Sequence, residues 1–119
     1  MNRNINEKQK KAIIHAINEA KKTTLWNVVD SVFLFGSCAR GNSRYNSDVD
    51  LLFLIDNDIS NYHNQIISFL GRITANRDGM SEIDAVVDEK HKFYSSNRTF
   101  EKNIKKDMIL LYKKEVKNE

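Results

Sequence analysis

Apolar and polar positions run along the chain in blocks of changing period. Over residues 6–22, Ile13, Ala16, Ile17 and Ala20 recur at helical spacing, and Asn6 followed three residues later by Gln9 has the form of a capping box. An amphipathic helix is predicted there. Over residues 28–35 the period becomes two, with Val32 and Leu34 on one face and Phe33 and Phe35 on the other, the pattern of a strand buried on both sides. It stops at Gly36. Residues 49–55 (VDLLFLI) read as a second strand and residues 83–87 (IDAVV) as a third. Between these two, Tyr62, Ile66, Phe69, Leu70 and Ile73 form a helical stripe, with Gly71 as its weak point and Asp78-Gly79 as a turn signal, so a crossover helix is implied. Phe100, Ile104, Met108 and Leu111 then mark a long C-terminal helix over residues 97–116. The predicted fold is an α/β (α+β) domain: a small sheet of about three strands with helices packed around it.

With 119 residues, no proline, no repeat and no low-complexity tract, residues 1–119 read as one domain with one core. A hydrophobic fraction of 40% and a charged fraction of 29% are ordinary for a folded protein and exclude wholesale disorder. No apolar run approaches the roughly 20 residues that span a bilayer, and an N-terminus holding Asn2, Asn4, Asn6 and Glu7 lacks the apolar core of a signal peptide, so the expected location is the cytoplasm, away from membranes. One cysteine, Cys38, can form neither an internal disulfide nor a zinc site by itself. It is expected to pack behind a turn, since no activating histidine lies near it in sequence. The net charge of +3 comes largely from Lys102, Lys105, Lys106, Lys113, Lys114 and Lys117, which suit either a solvated helix face or an anionic partner.

The chemistry concentrates in residues 34–54, LFGSCARGNSRYNSDVDLLFL. Gly36, lacking a Cβ, lets the backbone turn sharply at the end of a strand and lets an anion approach. The residues from Ser37 to Arg40 can open a short helix whose free N–H groups point at that anion, and Ser37 adds a hydroxyl. Asp48 and Asp50 flank Val49, and alternation along a strand puts both carboxylates on one side. Two such charges on an inner strand repel unless a cation neutralises them, and oxygen ligands without histidine or cysteine select magnesium or manganese. Ser47 is a candidate to orient one carboxylate. Completing a site for two ions about 4 Å apart needs a third acid. Asp84, facing opposite to Ile83, Ala85 and Val87, is the first choice, with Glu82 and Asp88 on the same face as competitors. Arg40 suits a phosphate contact or an ion pair equally well.

Gly36-Ser37, ten residues, then Asp48-Val49-Asp50, with Asp84 on a later strand, resembles the DNA polymerase β-type nucleotidyltransferase superfamily. The segments Ala39-Arg40-Gly41 and Ser47-Asp48-Val49-Asp50-Leu51 are most similar to its small bacterial and archaeal branch, the minimal nucleotidyltransferases, which are often encoded beside a HEPN-domain protein. The resemblance implies that Gly36 and Ser37 hold the β- and γ-phosphates of ATP or another nucleoside triphosphate, that Asp48 and Asp50 ligate two Mg2+ ions, and that Asp84 holds the second ion and assists deprotonation of the acceptor. It further implies transfer of AMP to a hydroxyl of a HEPN-type toxin, an antitoxin role. The alternatives are a small-molecule, antibiotic-type transferase and a non-catalytic antitoxin that acts by occlusion. Nucleic acid is not an expected partner, since no basic cleft or aromatic platform is visible; homo-oligomerisation stays open. If Gly36 and Asp48 meet at one site, the first two strands run antiparallel, while a helical crossover makes the third parallel, giving a mixed sheet.

Overall fold

The computed structural model describes residues 5–75 and 78–116; Asn2, Asn4 and Lys117 lie outside them. Helix α1 (Glu7–Lys21) opens on the predicted capping box: the Gln9 N–H donates to the Asn6 side chain at 2.9 Å, and the Asn6 N–H donates to the Gln9 side chain at 3.1 Å. A 3-10 turn (Thr24–Val28) leads into β1 (Val29–Phe35), and a short helix α2 (Gly36–Arg40) follows at once. Next come β2 (Val49–Ile55), a second 3-10 turn (Ile59–Tyr62), α3 (His63–Ile73) and β3 (Ile83–Glu89). The chain continues through α4 (Lys90–Ser95), α5 (Thr99–Asp107) and β4 (Ile109–Lys113).

The sheet has the order β3-β2-β1-β4, with β1 antiparallel to β2 and to β4, and β2 parallel to β3 across the α3 crossover. It is mixed as predicted, with one strand more than the three expected. Each face carries its own apolar cluster. Val32, Leu34, Leu51, Phe53, Ile55 and Ile83 meet α1 and α3 on one side, where Phe53 and Phe69 make an edge contact at 5.0 Å worth about 1 kcal/mol beyond burial. Phe33, Leu52 and Leu54 meet Phe93 of α4 and Ile104 of α5 on the other. That second face is the one on which Asp50 and Asp84 lie, so α4 and α5 cover its far half and leave the carboxylate end open.

The long C-terminal helix predicted over residues 97–116 is corrected to α5 followed by β4. Met108 sits at φ −61, ψ 141, outside the helical region, and the next residues pair with β1, Leu34 opposite Ile109 and Phe33 opposite Leu110. Closing the otherwise bare edge of β1 satisfies backbone groups that a continued helix would leave open. Two contacts hold the strand: Tyr112 packs on Trp26 with ring centroids 4.5 Å apart, and Lys113 meets Asp30 at 2.8 Å. Burial opposes the Asp30 charge, yet hydrogen bonds from Lys113 and Lys90 outweigh it and hold the carboxyl below its ordinary range. The short α4 and the two 3-10 turns were not predicted, each being too brief for an apolar period to register.

Candidate active site

β1 ends in extended backbone at Phe35, and Gly36 turns the chain at φ +74. A side chain at that φ is strained, and here it also has no room: a Cβ on Gly36 would strike the Asp50 carboxylate and stand 3.0 Å from its Cγ. The strand end and the Asp50 carboxylate are therefore in contact through a glycine. Helix α2 follows, with Ser37 half-buried in its first turn, and closes on Gly41 in the left-handed region at φ 78.

The loop between α2 and β2 is tied down from several sides. The side-chain amide of Asn6 donates to the Tyr45 carbonyl at 3.1 Å, and that of fully buried Gln9 donates to the Arg44 carbonyl at 3.2 Å. Ser47 closes the loop on itself, its hydroxyl accepting from the Arg44 N–H at 2.7 Å and its N–H donating to the Arg44 carbonyl at 3.0 Å. The Cys38 thiol donates to the Asp48 carbonyl at 3.6 Å, and the Val49 N–H starts the ladder to β3 by donating to the Glu82 carbonyl at 2.9 Å. Asp48 is thus delivered to the mouth of β2 by backbone contacts on both sides.

Strand register brings the acids together. Phe35 pairs with Asp50, and Asp50 pairs with Asp84, so one row across three strands reads Phe35, Asp50, Asp84. Paired residues share a face, and neighbouring strands lie about 4.8 Å apart. Asp48, just before β2 begins, lies near enough for its charge to act on Asp50. Glu82, just before Ile83 of β3, sits alongside Asp48 at the exposed rim, whereas Asp88 pairs with Leu54 far along β3 and has an oxygen engaged by the Glu89 N–H at 2.7 Å. Of the three candidates, Asp84 is the one opposite Asp50. Asp48 and Asp50 were expected to lie side by side on an inner strand. Asp50 alone is half-buried while Asp48 and Asp84 are exposed, because Asp48 precedes the strand and β3 is an edge.

Electrostatics follow this crowding. Burial, then the charges of Asp84 and Asp48, push the Asp50 carboxyl up to about 6, with Arg40 acting in the opposite direction. Arg40 itself pairs with Asp107 of α5 at 4.0 Å, the ion-pair role of the two foreseen, while remaining near enough to act on Asp50. Burial raises the Cys38 thiol, and the charges of Asp50 and Asp48 add to that, which makes it a packing residue rather than a nucleophile.

This donor set fits a hard divalent ion: it offers carboxylate oxygens, and the burial and mutual repulsion that raise the Asp50 carboxyl are what a bound cation would relieve. Among the described residues no three ligating side chains converge on one point, so the row is an open set of ligands and not a closed cage. Mg2+ suits such a set, since it commonly keeps several waters and takes one or two carboxylates plus phosphate oxygens. Two features escaped the sequence. The Asn6 and Gln9 amides that anchor the acidic loop were legible as a helix cap, but nothing local signals their second partners. A cleft of about 210 Å3 beside Gly36, walled by Phe35 and Phe100, joins residues 65 positions apart.

A mixed sheet that sets a Gly-Ser turn against a row of carboxylates defines a nucleotidyltransferase. The family model described as "Polymerase beta, Nucleotidyltransferase" matches residues 11–117, and the chain belongs to that family. No curated protein matches the chain in sequence. Among solved structures, a protein from Sulfolobus solfataricus described as a nucleotidyltransferase is similar at TM-score 0.56 and 20% identity, covering 87% of this chain and 78% of its own. Spectinomycin adenyltransferase AAD(9) from Enterococcus faecialis, solved with ATP and spectinomycin, is similar at TM-score 0.52 and 21% identity, covering 71% of this chain and 37% of its own. A toxin-antitoxin structure with AMP-PNP stands at TM-score 0.49 and 18% identity, covering 96% of this chain and 75% of its own. At these identities the likeness concerns the fold. Among the described residues no helix is long and apolar enough to cross a membrane.

Proposed function

We propose that the chain is a magnesium-dependent enzyme that transfers AMP from ATP to a hydroxyl of a partner protein, in the antitoxin role implied by its resemblance to minimal nucleotidyltransferases, with a HEPN-type toxin as the acceptor. The observation that carries this reading is the pairing of Asp50 with Asp84, beside Asp48 and against the Gly36 turn. Bound Mg2+ would polarise the phosphates and neutralise charge that develops as pyrophosphate departs. Asp48 and Asp50 would hold the ions, and Asp84 would share the second ion and accept the proton of the attacking hydroxyl. Gly36 and Ser37 would hold the β- and γ-phosphates with a backbone N–H and a hydroxyl. The acceptor hydroxyl must lie in line with the bond that breaks, and such positioning is worth several kcal/mol when a second surface enforces it. With Asp48 and Asp84 exposed at an open rim, a partner protein would supply that surface.

The test is mass spectrometry of the chain incubated with ATP, Mg2+ and the protein encoded beside it. The expected result is one AMP added to a hydroxyl residue of the partner, a tyrosine, falling by about two orders of magnitude or more with Asp48→Asn or Asp50→Asn. Modification that survives both substitutions contradicts the reading, as does rapid modification of a small molecule by the chain alone.

A further inference from the structure

We propose that the cleft between α2 and α5 receives the nucleobase of the nucleotide, an inference that rests on the nucleotide reading above. The cleft, about 210 Å3 in volume, is lined by Phe35, Gly36, Arg40, Phe100, Asn103 and Ile104. Its position ties it to the carboxylates. Phe35 is the strand partner of Asp50, and Gly36 abuts the Asp50 carboxylate, so a molecule whose phosphates lie at Gly36 has the cleft within reach of its other end.

The walls suit a flat heteroaromatic ring. Phe100 is 51% exposed, costly for a phenyl ring with nothing to cover it. It meets Phe35 edge to face with centroids 6.4 Å apart, a contact that occupies at most one ring face and leaves others for stacking. Phe100, Asn103, Ile104 and Asp107 follow one another at helical spacing along α5, so apolar and polar groups arrive on one side. Buried Ile104 makes a floor, and the Asn103 amide offers both a donor and an acceptor, the pair a base edge requires. Arg40 is held to Asp107 only at 4.0 Å with nearly half its side chain exposed, which leaves its guanidinium available to the nucleotide. The volume admits one ring system, below the roughly 300 Å3 at which pockets for larger ligands begin. An aromatic side chain of a partner could fill the apolar half, but it would leave the Asn103 amide without a counterpart.

Calorimetric titration of the full chain with ATP and with tripolyphosphate, both in excess Mg2+, separates base from phosphate binding. Phe100→Ala is expected to weaken ATP by about fivefold or more, the low end of the loss when base stacking is removed, while tripolyphosphate stays within about twofold. Phe100→Leu, which keeps the bulk at this half-exposed position, should fall between wild type and alanine for ATP. Unchanged ATP affinity in Phe100→Ala overturns the base cleft and leaves the phosphate site standing, and so does equal loss of both ligands by a variant with unaltered circular dichroism. If Phe100→Ala instead weakens capture of the partner protein and spares ATP, the cleft belongs to the partner and the inference is wrong. Wild-type protein that binds neither ligand overturns the nucleotide reading together with the inference.

Discussion

Asp50 carries an unfavourable interaction that the metal-free fold does not relieve. Its carboxyl titrates at about 6, against roughly 4 for an unperturbed aspartate. Between those values the folded chain keeps a proton that the unfolded chain has released, so stability falls as pH rises through 4 to 6 and the loss persists above 6. Allowing for solvent screening at a half-buried group, the loss is on the order of 1 to 2 kcal/mol. Asp50→Asn removes the titrating group and the repulsion. In thermal melts with EDTA it should raise Tm by a few degrees at pH 7.5 and flatten the fall between pH 4 and 6; a lower Tm with an unchanged pH profile would refute the assignment. Gly36, Asp48 and Asp50 were legible in the sequence because each rests on a local rule: no Cβ at a turn, and period-two alternation on a strand. The pairing of Asp84 with Asp50 is long-range and depends on register: the sequence offers Glu82, Asp84 and Asp88, and the structure sets Asp84 opposite Asp50.

Among the elements, α1 does more than fill one side of the sheet. Its capping amides, Asn6 and Gln9, hold the carbonyls of Tyr45 and Arg44 and so fix the loop that ends at Asp48. Two substitutions separate capping from anchoring. Gln9→Ala loses both and empties a fully buried side-chain position, so urea denaturation should show a cost of about 1 to 3 kcal/mol. Asn6→Asp keeps an equally good cap but cannot donate to Tyr45, so stability should hold within about 0.5 kcal/mol while Mg-ATP affinity drops several-fold. If Asn6→Asp binds Mg-ATP as wild type does, the anchor is irrelevant to the site. The same scale explains where sequence reading failed. Phe100, Ile104, Met108 and Leu111 keep a helical period straight across the break at Met108, and only the bare edge of β1, invisible locally, turns the last residues into a strand.

Taken whole, the molecule divides its labour between the two faces of one sheet. One face is closed by α1 and α3; the other is closed by α4 and α5 only as far as the carboxylate row. The mixed direction of the strands was predictable from the requirement that Gly36 and Asp48 meet, and the crossover length from the α3 stripe. The openness of the row was not, because exposure at a sheet end depends on where α5 stops. The account's central claim is a two-ion centre formed by Asp48 together with the open row of Asp50 and Asp84, and counting ions tests it most directly. Electron paramagnetic resonance of Mn2+ titrated into the full chain with a non-hydrolysable ATP analogue should show two bound ions per chain for wild type and no more than one for Asp50→Asn. Binding absent from folded wild-type protein, or identical in Asp50→Asn, would contradict it.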